Sequence, residues 1–227
     1  VRRYGEVRLD AGAFRSDNPH EVVTELQEMK VLAEADQSEI DGGALSLSAD
    51  ELDQMEASPW LPQSAEDRIA RDSERTMRII EAFETHIEPD WPTLIFATSV
   101  EHAQTLAALL SGRGITARAV SSSTESSARR RIVEEFRNGD IRALVNYGVF
   151  REGFDAPRTR AIIVARPVYS PNLYFQMIGR GLRGRLNGGN DRCLILNVRD
   201  NILNYDRQLA FSDLDWLWGG IRRAQAA

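Results

Sequence analysis

Residues 176–184 read QMIGRGLRG and contain two arginines, Arg180 and Arg183, three positions apart. A serine followed by a proline at 170–171 is typical of a helix start. The sequence therefore predicts a helix over residues 171–183 with both arginines on one face. Because a guanidinium keeps its charge and presents a fork of donors that fits phosphate oxygens, we interpret this helix end as a phosphate-binding site. Solvated surface charge is the alternative.

The glycines of this stretch allow a second interpretation. Gly179, Gly181 and Gly184 satisfy the pattern G-x-G-x-x-G, and an acid, Asp200, follows at nearly the spacing of a dinucleotide-binding fold. That fold needs a strand before the glycines and a helix after them. The residues that follow, RLNGGND at 185–191, form too short and too glycine-rich a segment for a helix. The context therefore argues against dinucleotide binding.

After Pro92, short apolar runs alternate with helical patterns, which is typical of a parallel sheet with crossover helices. The predicted strands are residues 93–97, 116–120, 142–146, 161–165 and 193–197, and the predicted helices are residues 100–112, 125–138 and 171–183. The runs are apolar throughout, so these strands should be buried on both faces. The predicted fold class is α/β, with a mostly parallel sheet between two layers of helices.

Polar side chains stand where the predicted strands end. Open parallel sheets bind ligands at the carboxyl ends of their strands. Here those ends carry Thr98, Ser99, Ser122, Asn146, Tyr147 and Arg166, and the hydroxyl and amide side chains among them suit phosphate contact. A helix N-cap is the alternative role for Ser99.

Residues 145–157, VNYGVFREGFDAP, follow the third predicted strand. Gly153 permits a backbone turn, and Asp155 should lie in the mouth of the sheet. An acid at that place suits a ribose hydroxyl or an arginine of the neighbouring helix. An aspartate that bonds its own turn is the alternative.

The first third of the chain is acidic and less regular. The sequence predicts a helix that opens at Asn18, an acidic loop over residues 33–48, a short helix capped by Ser48, and a longer amphipathic helix from Ser64. We therefore divide the chain into an acidic connector or accessory segment, residues 1–63, and an α/β domain, residues 64–227. The connector is expected to be partly helical.

Composition restricts the possible function. The net charge is −6, but acidic residues dominate before Pro92 and arginines after it, and an arginine-rich half is compatible with phosphate contact. The single cysteine and three scattered histidines favour neither a disulfide framework nor a metal site. No run of 18 apolar residues and no secretory leader occurs, so we expect a cytoplasmic protein without a membrane partner.

Four stretches, in a fixed order, carry a family resemblance. LIFATSVEHA (94–103), RRRIVEEFRNG (129–139), LVNYGVFREGFDAP (144–157) and QMIGRGLRG (176–184) together resemble the second motor domain of superfamily two helicases. The likeness is greatest to DEAD/DEAH-type helicases related to type III restriction subunits. The resemblance implies a C-terminal RecA-like domain, with residues 19–42 similar to the connector that leaves a first motor domain.

The resemblance also implies roles for single residues. In the last stretch, Gln176 would orient the nucleotide, Arg180 would contact phosphate and Arg183 would be the arginine finger. Gly153 and Asp155 would belong to the nucleotide site as well. The implied contacts to a nucleic-acid strand are Thr98, Ser99, Ser122, Asn146 and Tyr147. Asn146 departs from the threonine usual in many relatives.

The implied function is that of half a motor. The sequence has no G-x-x-x-x-G-K-[ST] loop and no strand that ends in an acidic pair for magnesium. ATP and its Mg²⁺ would therefore bind against a first RecA-like domain of the same polypeptide, and this chain alone should not turn over ATP. The expected parent is an ATP-dependent DNA helicase or translocase. An RNA helicase domain and a non-catalytic binding or scaffolding module are the alternatives.

Overall fold

A computed structural model describes residues 18–58, 60–149 and 156–218 of the chain. Six strands form one sheet: β1 (Glu34–Leu45), β2 (Thr93–Phe96), β3 (Ala117–Ser121), β4 (Ala143–Tyr147), β5 (Ala161–Val164) and β6 (Arg192–Ile202). Their order across the sheet is β1-β6-β5-β2-β4-β3, and each strand runs parallel to its neighbours. All carboxyl ends therefore lie at one edge of the sheet and all amino ends at the opposite edge.

Helices cover both faces of this sheet. They are α1 (Pro19–Glu28), α2 (Ala49–Ala57), α3 (Gln63–Arg71), α4 (Ser73–His86), α5 (Val100–Gly112), α6 (Ser126–Asn138), α7 (Pro171–Ile178) and the short α8 (Ala210–Asp213). Two 3₁₀ turns, Arg185–Asn187 and Asp215–Trp218, complete the described regular structure.

Side chains of successive strand residues enter two separate cores. Leu94 and Phe96 of β2 face a core that includes residues of α6, α7 and α8, whereas Ile95 faces a second core formed with α4 and α5. This alternation is the consequence of strand geometry, in which neighbouring side chains point to opposite faces. The predicted fold class, an α/β domain of three layers, is confirmed.

The helix predicted from Ser64 is two helices. The chain breaks at Asp72, whose side chain accepts a hydrogen bond from the backbone N–H of Arg75 at 3.0 Å and so caps α4. The apolar positions continue at helical spacing across this break, which explains why the sequence pattern did not reveal it. The short helix after Ser48 forms as predicted, with a complete capping box to Glu51.

The predicted acidic loop over residues 33–48 was wrong, because most of it is strand β1. Two of its acids pair across to β6: Glu34 binds Arg192 at 3.0 Å, and Glu39 binds Arg199 at 2.6 Å. Cross-strand pairs of opposite charge stabilise such an edge strand. The sheet therefore includes a strand from before residue 63 as well as strands from after it. The division of the chain at residue 63 stays a prediction.

A glycine allows β1 to follow the sheet. The register of β1 on β6 shifts between Asp41 and Gly43. At the residue between them, Gly42, a Cβ atom would overlap Oδ1 of Asp200 on β6. Only glycine permits this close approach of the β1 backbone to a buried carboxylate.

Candidate functional site

The stretch QMIGRGLRG begins on α7 and ends in an extended segment. α7 ends at Ile178, so the helix predicted to residue 183 is wrong in its last turns. Arg183 instead forms an antiparallel bridge with Leu32. The two arginines therefore do not share a helical face. Gln176 is exposed on α7, and Arg180 and Arg183 are both partly exposed in the segment that follows the helix.

Backbone hydrogen bonds fix this arginine loop, residues 179–184, against the segment that leads into β1. The Ala33 N–H donates to the Leu182 carbonyl at 3.1 Å, and the Gly184 N–H donates to the Val31 carbonyl at 3.0 Å. The loop is thus attached through main-chain atoms on both sides of Arg183. Its position depends little on flexible side chains.

Close packing explains two of the glycines in the loop. A Cβ on Gly181 would overlap the Cys193 sulfur and lie 2.9 Å from Ile162 Cδ1, and a Cβ on Gly184 would overlap the Lys30 carbonyl. Ile162 and Cys193 are the second residues of β5 and β6. The arginine loop therefore lies at the amino edge of the sheet.

Gly153 and Asp155, predicted at the nucleotide site, lie outside the described residues. The chain that follows them is described from Ala156 and reaches the same amino edge. The Asn190 side chain donates to the Thr159 carbonyl at 3.0 Å, and the Asn190 N–H donates to the Arg183 carbonyl at the same distance. Asn190 thus connects the segment after Asp155 to the arginine loop.

Two of the residues predicted to contact a nucleic-acid strand, Thr98 and Ser99, are buried just beyond the end of β2. Thr98 is fully buried, and its hydroxyl donates to the Ala165 carbonyl at 3.0 Å. Ser99 caps α5 by accepting from the His102 N–H at 3.0 Å, which was the alternative role for this residue. Both side chains fix the end of β2. A contact from either of them to nucleic acid stays a prediction.

The remaining predicted strand-contact residues differ in exposure. Asn146 is buried, and its Oδ1 accepts from the Val149 N–H at 3.3 Å, which shapes the turn after β4. Tyr147 is partly exposed and Ser122 is exposed. All five residues lie at or just beyond the carboxyl ends of β2, β3 and β4, opposite the arginine loop.

Glu66 at this carboxyl edge was missed by the sequence analysis. Its Oε1 lies 2.5 Å from Nη2 of Arg166, just beyond the end of β5, and the Arg166 guanidinium lies 5.6 Å from the centre of the Tyr147 ring. Burial raises the pKa of the Glu66 carboxyl, and the charge of Arg166 opposes this effect. No local signal exists for a pair separated by 100 positions.

A second buried ion pair lies nearby. Arg75 of α4 makes two hydrogen bonds to Asp200 of β6 and a third, of 3.1 Å, to the Ala165 carbonyl. This pair explains the position of Asp200, which sequence spacing alone associated with a dinucleotide fold. Burial, together with the charge of Arg75, lowers the pKa of His102 to about 3. His102 is therefore neutral beside this pair.

Polar side chains also attach α7 to the sheet. The Tyr174 hydroxyl lies 3.0 Å from both Gln37 Oε1 of β1 and Asn197 Oδ1 of β6, and the Asn197 amide donates to Gln37. All three side chains are buried. This cluster fixes the helix that leads into the arginine loop.

A parallel sheet between two helical layers, with an arginine loop on one edge and polar strand ends on the other, defines a RecA-like α/β domain. Residues 74–185 match the family model described as the helicase conserved C-terminal domain. The resemblance to the C-terminal RecA-like domain of superfamily two helicases, which the sequence motifs predicted, is thus confirmed.

Curated relatives include two yeast proteins. The chain is 40% identical over 105 residues to the putative ATP-dependent helicase IRC3 of Saccharomyces cerevisiae, a match that covers 46% of this chain and 15% of that protein. It is 36% identical over 147 residues to the putative mitochondrial ATP-dependent helicase irc3 of Schizosaccharomyces pombe, covering 65% and 24%. The chain thus spans less than a quarter of the length of either relative.

Solved structures share the fold. A DEAD box protein from the hyperthermophile Methanococcus jannaschii aligns with 91% of this chain and 49% of its own, at a TM-score of 0.54 and 15% identity. The Escherichia coli DEAD-box protein SrmB, solved with regulator of ribonuclease activity A, aligns with 86% and 91%, at a TM-score of 0.54 and 14% identity. None of the helices in the described part of the chain is long and apolar enough to cross a membrane.

Proposed function

We propose that this chain is the C-terminal motor domain of an ATP-dependent DNA helicase or translocase. The observation that carries the proposal is the arginine loop, which main-chain hydrogen bonds hold at the amino edge with Arg180 and Arg183 partly exposed. Guanidinium groups held by a rigid backbone suit contact with nucleotide phosphates. The names of both yeast relatives support ATP as the nucleotide.

The arginine loop would act on ATP held against a first RecA-like domain of the same polypeptide. When the two domains close, Arg183 would stabilise the charge that develops on the γ-phosphate, Arg180 would hold a phosphate, and Gln176 would orient the nucleotide. Gly153 and Asp155 are proposed for the same site. Mg²⁺, bound by the first domain, would neutralise phosphate charge.

The carboxyl edge would contact the nucleic-acid strand. Tyr147 and Ser122 are accessible for direct contact there, while Thr98, Ser99 and Asn146 hold the strand ends on which such contacts depend. A four-residue strand such as β5 separates the two edges by roughly 10 Å. Contact mainly with the strand backbone predicts low sequence specificity and a strong dependence on salt.

Retention of the arginine loop argues against the scaffolding alternative, since a scaffold has no chemical use for a fixed arginine finger. DNA is favoured over RNA as the substrate, and the two are separated by experiment. A cytoplasmic setting stays a prediction, since one relative is named mitochondrial.

The deciding experiment measures ATP hydrolysis by the full-length parent with single-stranded DNA or RNA of one sequence. Arg183→Ala should lower turnover on the order of 10³-fold, with ATP still bound. Arg185→Ala is the matched control, because Arg185 lies two positions further on and its side chain is 70% exposed. Equal losses in both variants would contradict the finger assignment. No hydrolysis by the wild type with either nucleic acid would favour the scaffold.

A further inference from the structure

We infer that Arg166 is a phosphate contact of the proposed strand track, and that Glu66 occupies its guanidinium when no strand is bound. This inference rests on the proposed function of the carboxyl edge. It adds a residue to that edge and a competitor from the chain's own N-terminal part.

The position of Arg166 is the first argument. β2 lies between β5 and β4 in the sheet, so an arginine just past β5 that contacts Tyr147 at the end of β4 reaches across the end of β2. There the guanidinium and the partly exposed ring lie together on the edge. A cation beside an aromatic face is the combination that single-stranded nucleic acid binds, through its phosphates and its bases.

The hydrogen bonds of Arg166 are the second argument. Its Nη2 donates to Glu66, but its Nε is buried and, within the described part of the chain, has no acceptor. A guanidinium offers its donors as a planar fork, and a phosphate can accept from two of them at once. The present pairing therefore leaves the group incompletely satisfied, whereas a phosphate that displaced the Glu66 carboxylate would be able to accept from both Nε and Nη2.

The cost of the Glu66 pair is the third argument. The Glu66 residue is only 5% exposed and the Arg166 side chain 13%. Removing two charges from water offsets much of their attraction, so such a pair adds little net stability. Stability therefore does not account for the pair at this edge, whereas a role in binding does.

The segment that carries Glu66 is built as a unit. We call α2 and α3 together, residues 49–57 and 63–71, the α2–α3 hairpin. Glu51 of α2 binds the Arg68 guanidinium at 2.7 Å and accepts from the Ser64 hydroxyl, both on α3. Burial alone would raise the pKa of Glu51, but these bonds and those from Ser48 lower it. The hairpin can therefore hold Glu66 in a defined place.

The family match separates the two partners. Arg166 and Tyr147 lie within the matched residues 74–185, whereas Glu66 and the hairpin precede them. The basic and aromatic groups thus lie in the matched domain, and the competing acid is supplied by the segment before it. A nucleic-acid strand that binds must displace Glu66 from Arg166. The apparent affinity of the protein for the strand is therefore its intrinsic affinity multiplied by the fraction of molecules in which Glu66 does not occupy Arg166.

The test measures binding of a fluorescent single-stranded oligonucleotide to the 227-residue chain over a range of salt concentrations. Glu66→Gln should tighten binding about fivefold or more, because the neutral amide competes poorly with phosphate. Adding Arg166→Gln to that variant should weaken binding about tenfold and reduce the salt slope by roughly 0.7. The arginine is replaced in this background because removing it alone would leave a buried carboxylate unpaired.

Arg160, at the opposite end of β5, is a matched control. It precedes β5, as Arg166 follows it, and its guanidinium lies 5.5 Å from the Trp91 ring centre and 3.6 Å from Asp90. Because Arg160 lies at the amino edge, Arg160→Gln should leave binding unchanged.

The outcomes separate this inference from the proposed function. The inference alone fails if the wild type binds single strands but Glu66→Gln does not tighten binding. It also fails alone if Arg166→Gln has no effect in that background, because Arg166 is then not a phosphate contact for which Glu66 competes. If the wild type binds neither DNA nor RNA, the proposed strand track fails and the inference with it.

Discussion

Arg75 and Asp200 form a two-pronged ion pair in the interior of the domain, with Nε–Oδ1 at 2.6 Å and Nη2–Oδ2 at 2.9 Å. The pair joins α4 to the carboxyl end of β6, and through the Ala165 carbonyl it also reaches the end of β5. Arg166 begins directly after that carbonyl. The buried pair therefore helps to position the edge that we propose for strand binding.

Loss of one partner should be costly. Asp200→Ala would leave the Arg75 guanidinium buried without its carboxylate, so we expect the free energy of unfolding to fall by roughly 3–5 kcal/mol. Urea denaturation measures this change. Arg192→Ala is the control, because Arg192 pairs with Glu34 at the surface, where the two side chains are 69% and 50% exposed. Such a pair contributes at most about 1 kcal/mol. Similar losses in the two variants would show that burial of the pair is unimportant.

Gly42 should tolerate no side chain. In Gly42→Ala the new Cβ would overlap Asp200 Oδ1 and lie 2.9 Å from the Arg199 carbonyl, so we expect a loss of about 2 kcal/mol or more. Gly112→Ala makes the same chemical change in α5, where no atom lies within 4 Å, and should be neutral or stabilising because alanine favours helix. A stable Gly42→Ala protein would mean that β1 can move away from Asp200.

Stability should depend on pH through His102. Its pKa is lowered to about 3 in the folded protein, from an ordinary value of 6.5. Below pH 6.5 His102 therefore takes up a proton in the unfolded chain but not in the folded protein. The free energy of unfolding consequently falls as the pH falls towards 3. The slope of this contribution approaches about 1.4 kcal/mol per pH unit.

A variant isolates this contribution. His102→Asn keeps an acceptor for the Thr98 N–H, which bonds Nδ1 of His102 at 3.3 Å, but it does not titrate. The dependence of its unfolding free energy on pH should be shallower between pH 5 and 6.5, as measured by denaturant titration at each pH. Parallel curves for variant and wild type would mean that His102 takes up its proton in the folded protein.

Gly184 links local geometry to the proposed activity. In the full-length parent, Gly184→Ala would force the arginine loop away from the Lys30 carbonyl, so we expect at least a tenfold loss of ATP turnover. Strand binding at the carboxyl edge should persist, since that edge is remote from the change. Gly139→Ala, where φ is +91° but space is open, controls for backbone strain alone. Normal turnover in Gly184→Ala would show that ATP hydrolysis does not depend on the position of the arginine loop.

The parallel strands and α5 could be predicted because each is a local pattern: an apolar run buried on both faces, or a helix with a serine cap. The strand β1 could not, because two of its acids pair with arginines that lie 158 and 160 positions away. The end of α7 was predicted too late, although Gly179 and Gly181 directly after Ile178 are residues that favour a helix end.

The candidate site divides in the same way. Arg180, Arg183 and Tyr147 were predicted from motifs and are at least partly exposed at the edges of the sheet. Thr98 and Asn146 carry suitable groups, but burial and internal hydrogen bonds could not be inferred from residue type alone. Glu66 resembles any exposed acid of an amphipathic helix until the fold places it against Arg166.

The pairing of β1 with β6 also bears on how the chain is made. Glu34 and Arg192 are 158 positions apart, so β1 leaves the ribosome long before its partner is synthesised. At 5–20 residues per second this wait lasts roughly 8–30 s. During that interval the acidic strand has no complementary arginines, and its charge protects it from premature association with other chains. The domain can close its sheet only when the last strand arrives.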